Sequence, residues 1–252
     1  MMNKWLAAAL LALTLQAHAD MELRYRDAEG EHRMLARPGM VRMELPGQSG
    51  YLIFLAGKKQ LYMVNPDQKE YVLIDQVGVN RLANTLNQAM EQMQAQLAAL
   101  PPEQRAQMAQ LMGGLNPQEN AQMRFEMRAT GRSGNNPVAG TCQWHRMRFN
   151  GQPVGEACLA PVADLGVAEA DVQALDDMFA FMEQMLSRLP MIQDDPLSFG
   201  AHKAGMLPVM FLGADGGKEG ELVSLKRNAL EPALFQPPAG YQQRRIDEAM
   251  QR

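Results

Sequence analysis

Residues 41–75 read VRMELPGQSGYLIFLAGKKQLYMVNPDQKEYVLID, and this stretch decides the fold class. Apolar residues at 41, 43 and 45 alternate with Arg42 and Glu44, which is the two-residue period of a strand with one buried face. Turn residues separate this strand from three more predicted strands, at residues 51–55, 61–64 and 69–75. Short strands at close spacing with turns between them predict an antiparallel meander.

Strand patterns also lie on both sides of this stretch. Upstream, Met21, Leu23 and Tyr25 alternate with charged residues. Downstream, alternation resumes at Met123 and is followed by a polar stretch, residues 132–137, that we expect to be a loop. Two hairpins are predicted after it, one over residues 138–159 and one formed by residues 207–212 and 221–227, with the glycine-rich residues 213–217 as its turn.

Two segments between the strands have the period of amphipathic helices instead. From residue 82 to 100, apolar residues recur every three or four positions, with Asn80 placed to cap the helix and Pro101 to end it. A shorter helix is expected from Pro102 to the glycines at 113 and 114. The same period over residues 167–189 predicts another helix. The pattern therefore predicts an α+β fold, one sheet with helices on one face.

The first nineteen residues have the form of a secretory signal. Lys4 precedes an apolar run from Trp5 to Leu15, which is shorter than the roughly 20 residues that span a bilayer. Small residues at 17 and 19 place the expected cleavage between Ala19 and Asp20. We therefore expect an exported protein located in the periplasm, with no transmembrane segment.

Composition limits the remaining possibilities. With Lys4 removed, 23 of the 24 basic residues remain against 28 acidic ones, so the mature chain is acidic and gives no reason to expect nucleic acid as a partner. No segment rich in Gly, Ser or Pro divides the chain. Residues 20–252 are therefore interpreted as a single domain with helical insertions near 80–114 and 167–189.

Two cysteines, Cys142 and Cys158, flank the Asn150-Gly151 pair, which is a strong signal for a hairpin turn. Exported proteins with an even number of cysteines usually pair them. A turn at Asn150-Gly151 places the cysteines one residue out of alignment, so we expect a disulfide across a hairpin with a bulge or a longer loop. The absence of CxxC spacing disfavours a redox-active pair.

Several short motifs are spread along the chain. They are Arg42-Met43-Glu44, Tyr51-Leu52-Ile53-Phe54, Leu61-Tyr62-Met63, Lys69-Glu70-Tyr71, Gly140-Thr141-Cys142, Asn150-Gly151, Leu234-Phe235 and Pro238-Ala239-Gly240-Tyr241. With these motifs the chain resembles a group of uncharacterised exported bacterial proteins classed as domains of unknown function and, more distantly, the periplasmic lipoprotein carriers of the LolA and LppX type. The resemblance implies an open, strongly curved antiparallel half-barrel, with helices on its concave side and, in the carriers, a cavity for acyl chains.

Methionine is the most suggestive residue type, with 21 in the chain. Methionines at helical spacing fit core packing, an adaptable apolar groove or a soft site for Cu(I). The residues predicted to line an apolar groove are Leu86, Met90, Met93, Leu97, Met178, Phe179, Met182 and Met185.

Other reactive residues do not form a recognisable site. His32, His145 and His202 lie far apart and lack the spacing of zinc ligands. The stretch 47–50, Gly-Gln-Ser-Gly, is not a nucleophile elbow. The acidic pair at 176–177 is interpreted as charge in the first half of a helix, and the pair at 194–195 as part of a loop. The arginines between 24 and 42 are interpreted as solvated strand faces. We therefore expect no enzyme activity, no metal and no cofactor.

The sequence thus favours a non-enzymatic binding protein for a lipid acyl chain or an apolar segment of an envelope protein. Two alternatives remain open. One is a structural or interaction protein of the cell envelope without a small ligand. The other is copper binding through the methionines.

Overall fold

The computed structural model describes residues 20–45, 47–101, 125–186, 203 and 205–246. The predicted signal sequence up to Ala19 and the helix expected from Pro102 lie outside these residues. The described chain is α+β, as predicted. Its strands are β1 Asp20–Asp27, β2 Gly30–Arg37, β3 Met40–Glu44, β4 Tyr51–Leu55, β5 Gln60–Asn65, β6 Glu70–Ile74, β7 Phe125–Asn136, β8 Gly140–Phe149, β9 Gln152–Pro161, β10 Met206–Gly213, β11 Lys218–Asn228 and β12 Gln242–Arg244. Its helices are α1 Gln76–Ala99 and α2 Glu169–Leu186.

These strands form one open sheet in the order β12-β6-β5-β4-β3-β2-β1-β11-β10-β9-β8-β7. The predicted meander is confirmed, since each strand from β1 to β6 pairs antiparallel with the next. Strand β1 also pairs antiparallel with β11 and thereby joins the two halves of the sheet. The short strand β12 differs from the others in pairing parallel, with β6.

The sheet is strongly curved where β7 to β11 lie. Strands β7 and β11 are four positions apart, which in a flat sheet separates them by roughly 19 Å. Nevertheless, the buried amide of Asn136, at the end of β7, donates to the carbonyls of Val209 (3.2 Å) and Leu222 (3.0 Å) on β10 and β11. The paired section of β10 and β11 runs only from Met210 to Leu212, so Asn136 bonds carbonyls just beyond it. The side of the sheet that carries this amide is concave.

Both helices pack on the concave face and share its main core. Helix α2 lies against β2 and β3, and α1 begins against β6. Val79 and Leu82 of α1 are buried in the same cluster as Met178 and Met182 of α2. The opposite, convex face of β2 to β6 is covered by the segment from 230 to 241, whose Phe235 is fully buried. The prediction of helices on one face of one sheet is therefore confirmed.

Two predictions of local structure were wrong. The first helix begins at Gln76, not after Asn80, because Asp75 is extended and its carboxylate accepts a hydrogen bond from Gly78 N–H (2.8 Å). Residues 132–136 of the expected loop belong to β7. A register shift between Ala129 and Ser133 lets the strand continue through Gly131, whose φ is +77°.

The hairpin turn at Asn150 and Gly151 is confirmed, with φ of 48° and 79°, as is the bulge, since the register shifts between Met147 and Arg148. The Cys142–Cys158 disulfide joins diagonal positions of β8 and β9 with the Cα atoms 5.4 Å apart. Both cysteines are buried in the concave core. The disulfide therefore anchors the curled end of the sheet from inside.

Candidate functional site

The four candidate residues on α2 are part of the core. Met178 and Met182 are fully buried, and Phe179 and Met185 are half-buried against the same cluster. The neighbouring Phe181 contacts Phe54 of β4, with ring centroids 5.5 Å apart. These methionines are packed among side chains, which favours core packing over an open groove at this helix.

The four candidate residues on α1 become less buried along the helix. Leu86 packs against the concave core, whereas Met90 and Leu97 are half-buried and lie outside the hydrophobic clusters of the described residues. Met93 is more than one-third exposed (37%). The apolar stripe of α1 therefore continues past the part of the helix that rests on the sheet.

A second apolar surface, which the sequence interpretation missed, lies on the concave face of the sheet. The strand registers align one residue from each of β1 to β6 in a row across the sheet. We call this the methionine row, because half of its members are methionines. Its members, in order, are Leu23, Met34, Met43, Leu52, Met63 and Val72.

The methionine row differs from the parallel row beside it. In that neighbouring row Ala36, Val41, Phe54 and Leu61 are nearly inaccessible. In the methionine row Leu23, Leu52 and Val72 are also buried, whereas Met34 and Met43 are half-buried against the core cluster and Met63 is 39% exposed. From Met34 to Val72 the row crosses five strands, a length of roughly 19 Å. The accessible apolar surface of this row is confined to its methionines and is largest at Met63.

A polar cleft of about 400 Å³ lies at one end of these strands, between the β1–β2 turn and the β3–β4 loop. Two of its carboxylates pair with arginines, Glu31 with Arg26 and Glu44 with Arg33. Arg33 Nη2 lies 2.6 Å from Glu44 Oε1, and His32 Nδ1 lies 3.2 Å from Asp27 Oδ2. A hydrogen bond from Arg26 lowers the pKa of the Glu31 carboxyl. The lining also includes Glu29, so the cleft is polar and rich in carboxylates.

The arginines from 24 to 42 do not form a basic patch, but the interpretation as solvated strand faces fails for Arg42, whose Nε is buried. Four of them lie beside carboxylates, and Arg42 instead stacks over the Tyr51 ring at 3.4 Å and donates to Leu234 O. The four ion pairs are Arg24–Glu22, Arg26–Glu31, Arg33–Glu44 and Arg37–Asp20.

Several side chains of types used in catalysis make hydrogen bonds within the fold. Burial raises the pKa of Tyr25 well above its usual value, and the hydroxyl donates to Pro208 O at 2.9 Å. The buried His145 has its Nδ1 2.9 Å from Gln143 O. Ser49 donates to Asp67, and residues 213–217 form a hairpin turn, closed by Gly213 N–H donating to Gly217 O. Among the described residues, no group of three or more His, Cys, Asp or Glu is placed to hold a metal ion.

Comparisons with known proteins yield little. No family model and no curated protein matches the chain. A crystal structure of an uncharacterized conserved protein from Thermus thermophilus aligns over 90% of both chains, at 12% identity and a TM-score of 0.40. Within the described part of the chain, no helix is both long and apolar enough to cross a membrane.

Proposed function

We propose that this protein is an exported, non-enzymatic binding protein that takes up an apolar chain along the methionine row. The observation that carries the proposal is the partial exposure of the three methionines of this row, Met63 above all, beside a fully packed neighbouring row. Thioether side chains are flexible and polarizable, so they adapt to apolar chains of varied shape. We take a lipid acyl chain as the first candidate and an apolar segment of an envelope protein as the second.

The architecture supports this proposal in a second way. An open sheet with helices on its concave face is the arrangement that the resemblance to lipoprotein carriers implies, and we propose a LolA-like half-barrel on that ground. The buried disulfide is compatible with the oxidising periplasm. The α1 stripe at Met90, Met93 and Leu97 supplies a further apolar surface, which we assign to the same ligand.

A single substitution in the row tests the proposal. The protein is purified from the periplasm without detergent, analysed by native mass spectrometry, and extracted with organic solvent to identify bound lipid. Titration with a fluorophore-labelled fatty acid then compares Met63→Asp with Met40→Asp. These methionines are similarly exposed, 39% and 37%, but Met40 lies on the opposite face of the sheet.

We expect Met63→Asp to weaken fatty-acid binding at least tenfold and Met40→Asp to leave it unchanged. Equal binding by both variants would contradict the assignment to the methionine row. On α1, Met93→Asp and the more exposed Val77→Asp form a second matched pair. Weakening by Met93→Asp alone would extend the site to the helix.

One observation favours the alternative of an interaction protein without a small ligand. Met178 and Met182 of α2 are fully buried, so the core beneath this helix is filled by side chains. This alternative predicts a bare protein mass and a partner recovered by crosslinking. Copper binding makes a different prediction from both: replacing the helical methionines Met90, Met93, Met178, Met182 and Met185 by leucine should abolish Cu(I) binding and leave fatty-acid binding intact.

A further inference from the structure

The last described segment, residues 229–246, crosses from one face of the sheet to the other, and we call it the strap. It starts on the convex face, where Leu230 N–H donates to Asp20 Oδ2 at 2.8 Å. Phe235 then inserts among Leu35 and Ile53 and is fully buried. This convex section fixes the strap to the centre of the sheet.

The strap next follows the edge of the sheet as β12. Gln242 N–H donates to Lys69 O at 2.9 Å, and residues 242–244 pair parallel with residues 70–72 of β6. Arg244 donates through Nε and Nη2 to Glu70 Oε1, at 2.9 and 2.6 Å. A charge-assisted pair thus fastens a strand of only three residues.

The strap ends on the concave face. Ile246 is buried in the concave core. It lies beside the first turn of α1, since a Cβ placed on Gly78 would be 3.7 Å from Ile246 Cγ2. The strap therefore encloses the β6 edge, with Phe235 on one face, β12 along the rim and Ile246 on the other face.

The outer edge of β6, which the strap covers, would be prone to pair with other chains if it were open. Strand β6 reads Glu-Tyr-Val-Leu-Ile, a segment of high β propensity with a single charge, and open edges of this kind pair with other chains. Strand β7, at the other end of the described sheet, carries Arg128, Arg132 and a register shift, which are features that discourage such pairing.

We propose that the strap covers the β6 edge reversibly, and that its detachment lets β6 pair antiparallel with β6 of a second copy. Release breaks few main-chain hydrogen bonds, because only three residues of β12 pair with β6. A second copy fits because identical edges pair around a two-fold axis. With Val72 at that axis, each Glu70 lies opposite Ile74, so like charges do not meet.

The full-length mature chain carrying Arg244→Glu tests this inference, since the introduced carboxylate repels that of Glu70. We expect a concentration-dependent dimer in sedimentation equilibrium. In the monomer at low concentration we expect at least tenfold faster hydrogen exchange of the Tyr71 and Leu73 amides, which face β12. The double variant Glu70→Arg/Arg244→Glu should restore both wild-type behaviours. Lys58→Glu, an exposed residue with the same charge change, should alter neither.

Two results would overturn the proposal. An Arg244→Glu protein with unchanged exchange at β6 would show that the strap is not released. Faster exchange without any dimer up to the highest soluble concentration would show that a second copy does not occupy the edge. If Arg244→Glu fails to fold, Ile246→Asp removes the concave anchor instead and is judged by the same two measurements.

Discussion

Gly134 of β7 lies directly against Cys158 of β9, such that a Cβ at position 134 would be 2.8 Å from Cys158 Sγ. That Cβ would also lie 2.8 Å from Trp144 Nε1 and 3.1 Å from Cys142 Sγ. Gly134 is paired with Cys142 in the β7–β8 ladder. The missing side chain is what allows the disulfide and Trp144 to pack beneath the edge of the curled sheet.

Replacing Gly134 by alanine should therefore destabilise the protein by overpacking, by about 1–3 kcal/mol. Urea unfolding of the oxidised protein gives the free energy of unfolding. Gly57→Ala is the matched control, because a Cβ there meets nothing within 4 Å, and it should be nearly neutral. A loss no larger for Gly134→Ala than for Gly57→Ala would refute the overpacking account.

Asn136 should be among the polar residues that matter most for stability. Its amide NH₂ donates to two carbonyls, and its Oδ1 accepts from Val138 N–H and Ala139 N–H at 2.9 and 3.0 Å. Asn136→Ala leaves these buried groups without their partner, and we expect a loss of about 3 kcal/mol or more. The exposed neighbour in Asn135→Ala should lose less than about 0.5 kcal/mol. Similar losses for both variants would argue against the proposed bridge.

Local features of this fold were predictable from the sequence, whereas long-range features were not. The strands from Tyr51 to Ile74, the turn at Asn150-Gly151 and α2 were predictable because periodicity and turn residues are local signals. Asn136 was hidden in an expected loop, because its bonds to Val209 and Leu222 arise only when the sheet curls. Curvature depends on bulges and packing that a single strand does not reveal.

The candidate site shows the same division. Helical spacing identified Met178 and Met182 as inward-facing, but spacing does not distinguish a packed core from an open groove. The methionine row was missed because its members come from different strands, and their alignment depends on the register of every hairpin. Met34, Met43 and Met63 occupy concave positions in the two-residue period, so a register-aware reading of residues 21–75 contains the signal.

The Arg33–Glu44 pair should make stability depend on acid pH. Burial acts to raise the pKa of Glu44, but hydrogen bonds from Arg33 and its positive charge outweigh burial, so the pKa lies below its ordinary 4.5. The stabilisation is complete above pH about 4.5 and is lost as the pH falls through the lower folded-state pKa. Glu44→Gln should therefore cost about 1 kcal/mol at pH 7 and progressively less below pH 4. A cost independent of pH in urea unfolding would exclude the charge pairing as its cause.

Asp75 rather than Asn80 caps α1, so the Asp75 side chain should contribute to the stability of the protein. Asp75 Oδ1 accepts from Gly78 N–H at 2.8 Å and places a negative charge at the positive end of the helix dipole. Asp75→Ala should destabilise the protein by about 1 kcal/mol and increase hydrogen exchange over the first turn. Asn80 is already inside α1, where its exposed side chain accepts from Gln76, so Asn80→Ala should change stability by less than about 0.5 kcal/mol. A larger loss of stability for Asn80→Ala than for Asp75→Ala would contradict the assignment of Asp75 as the helix cap.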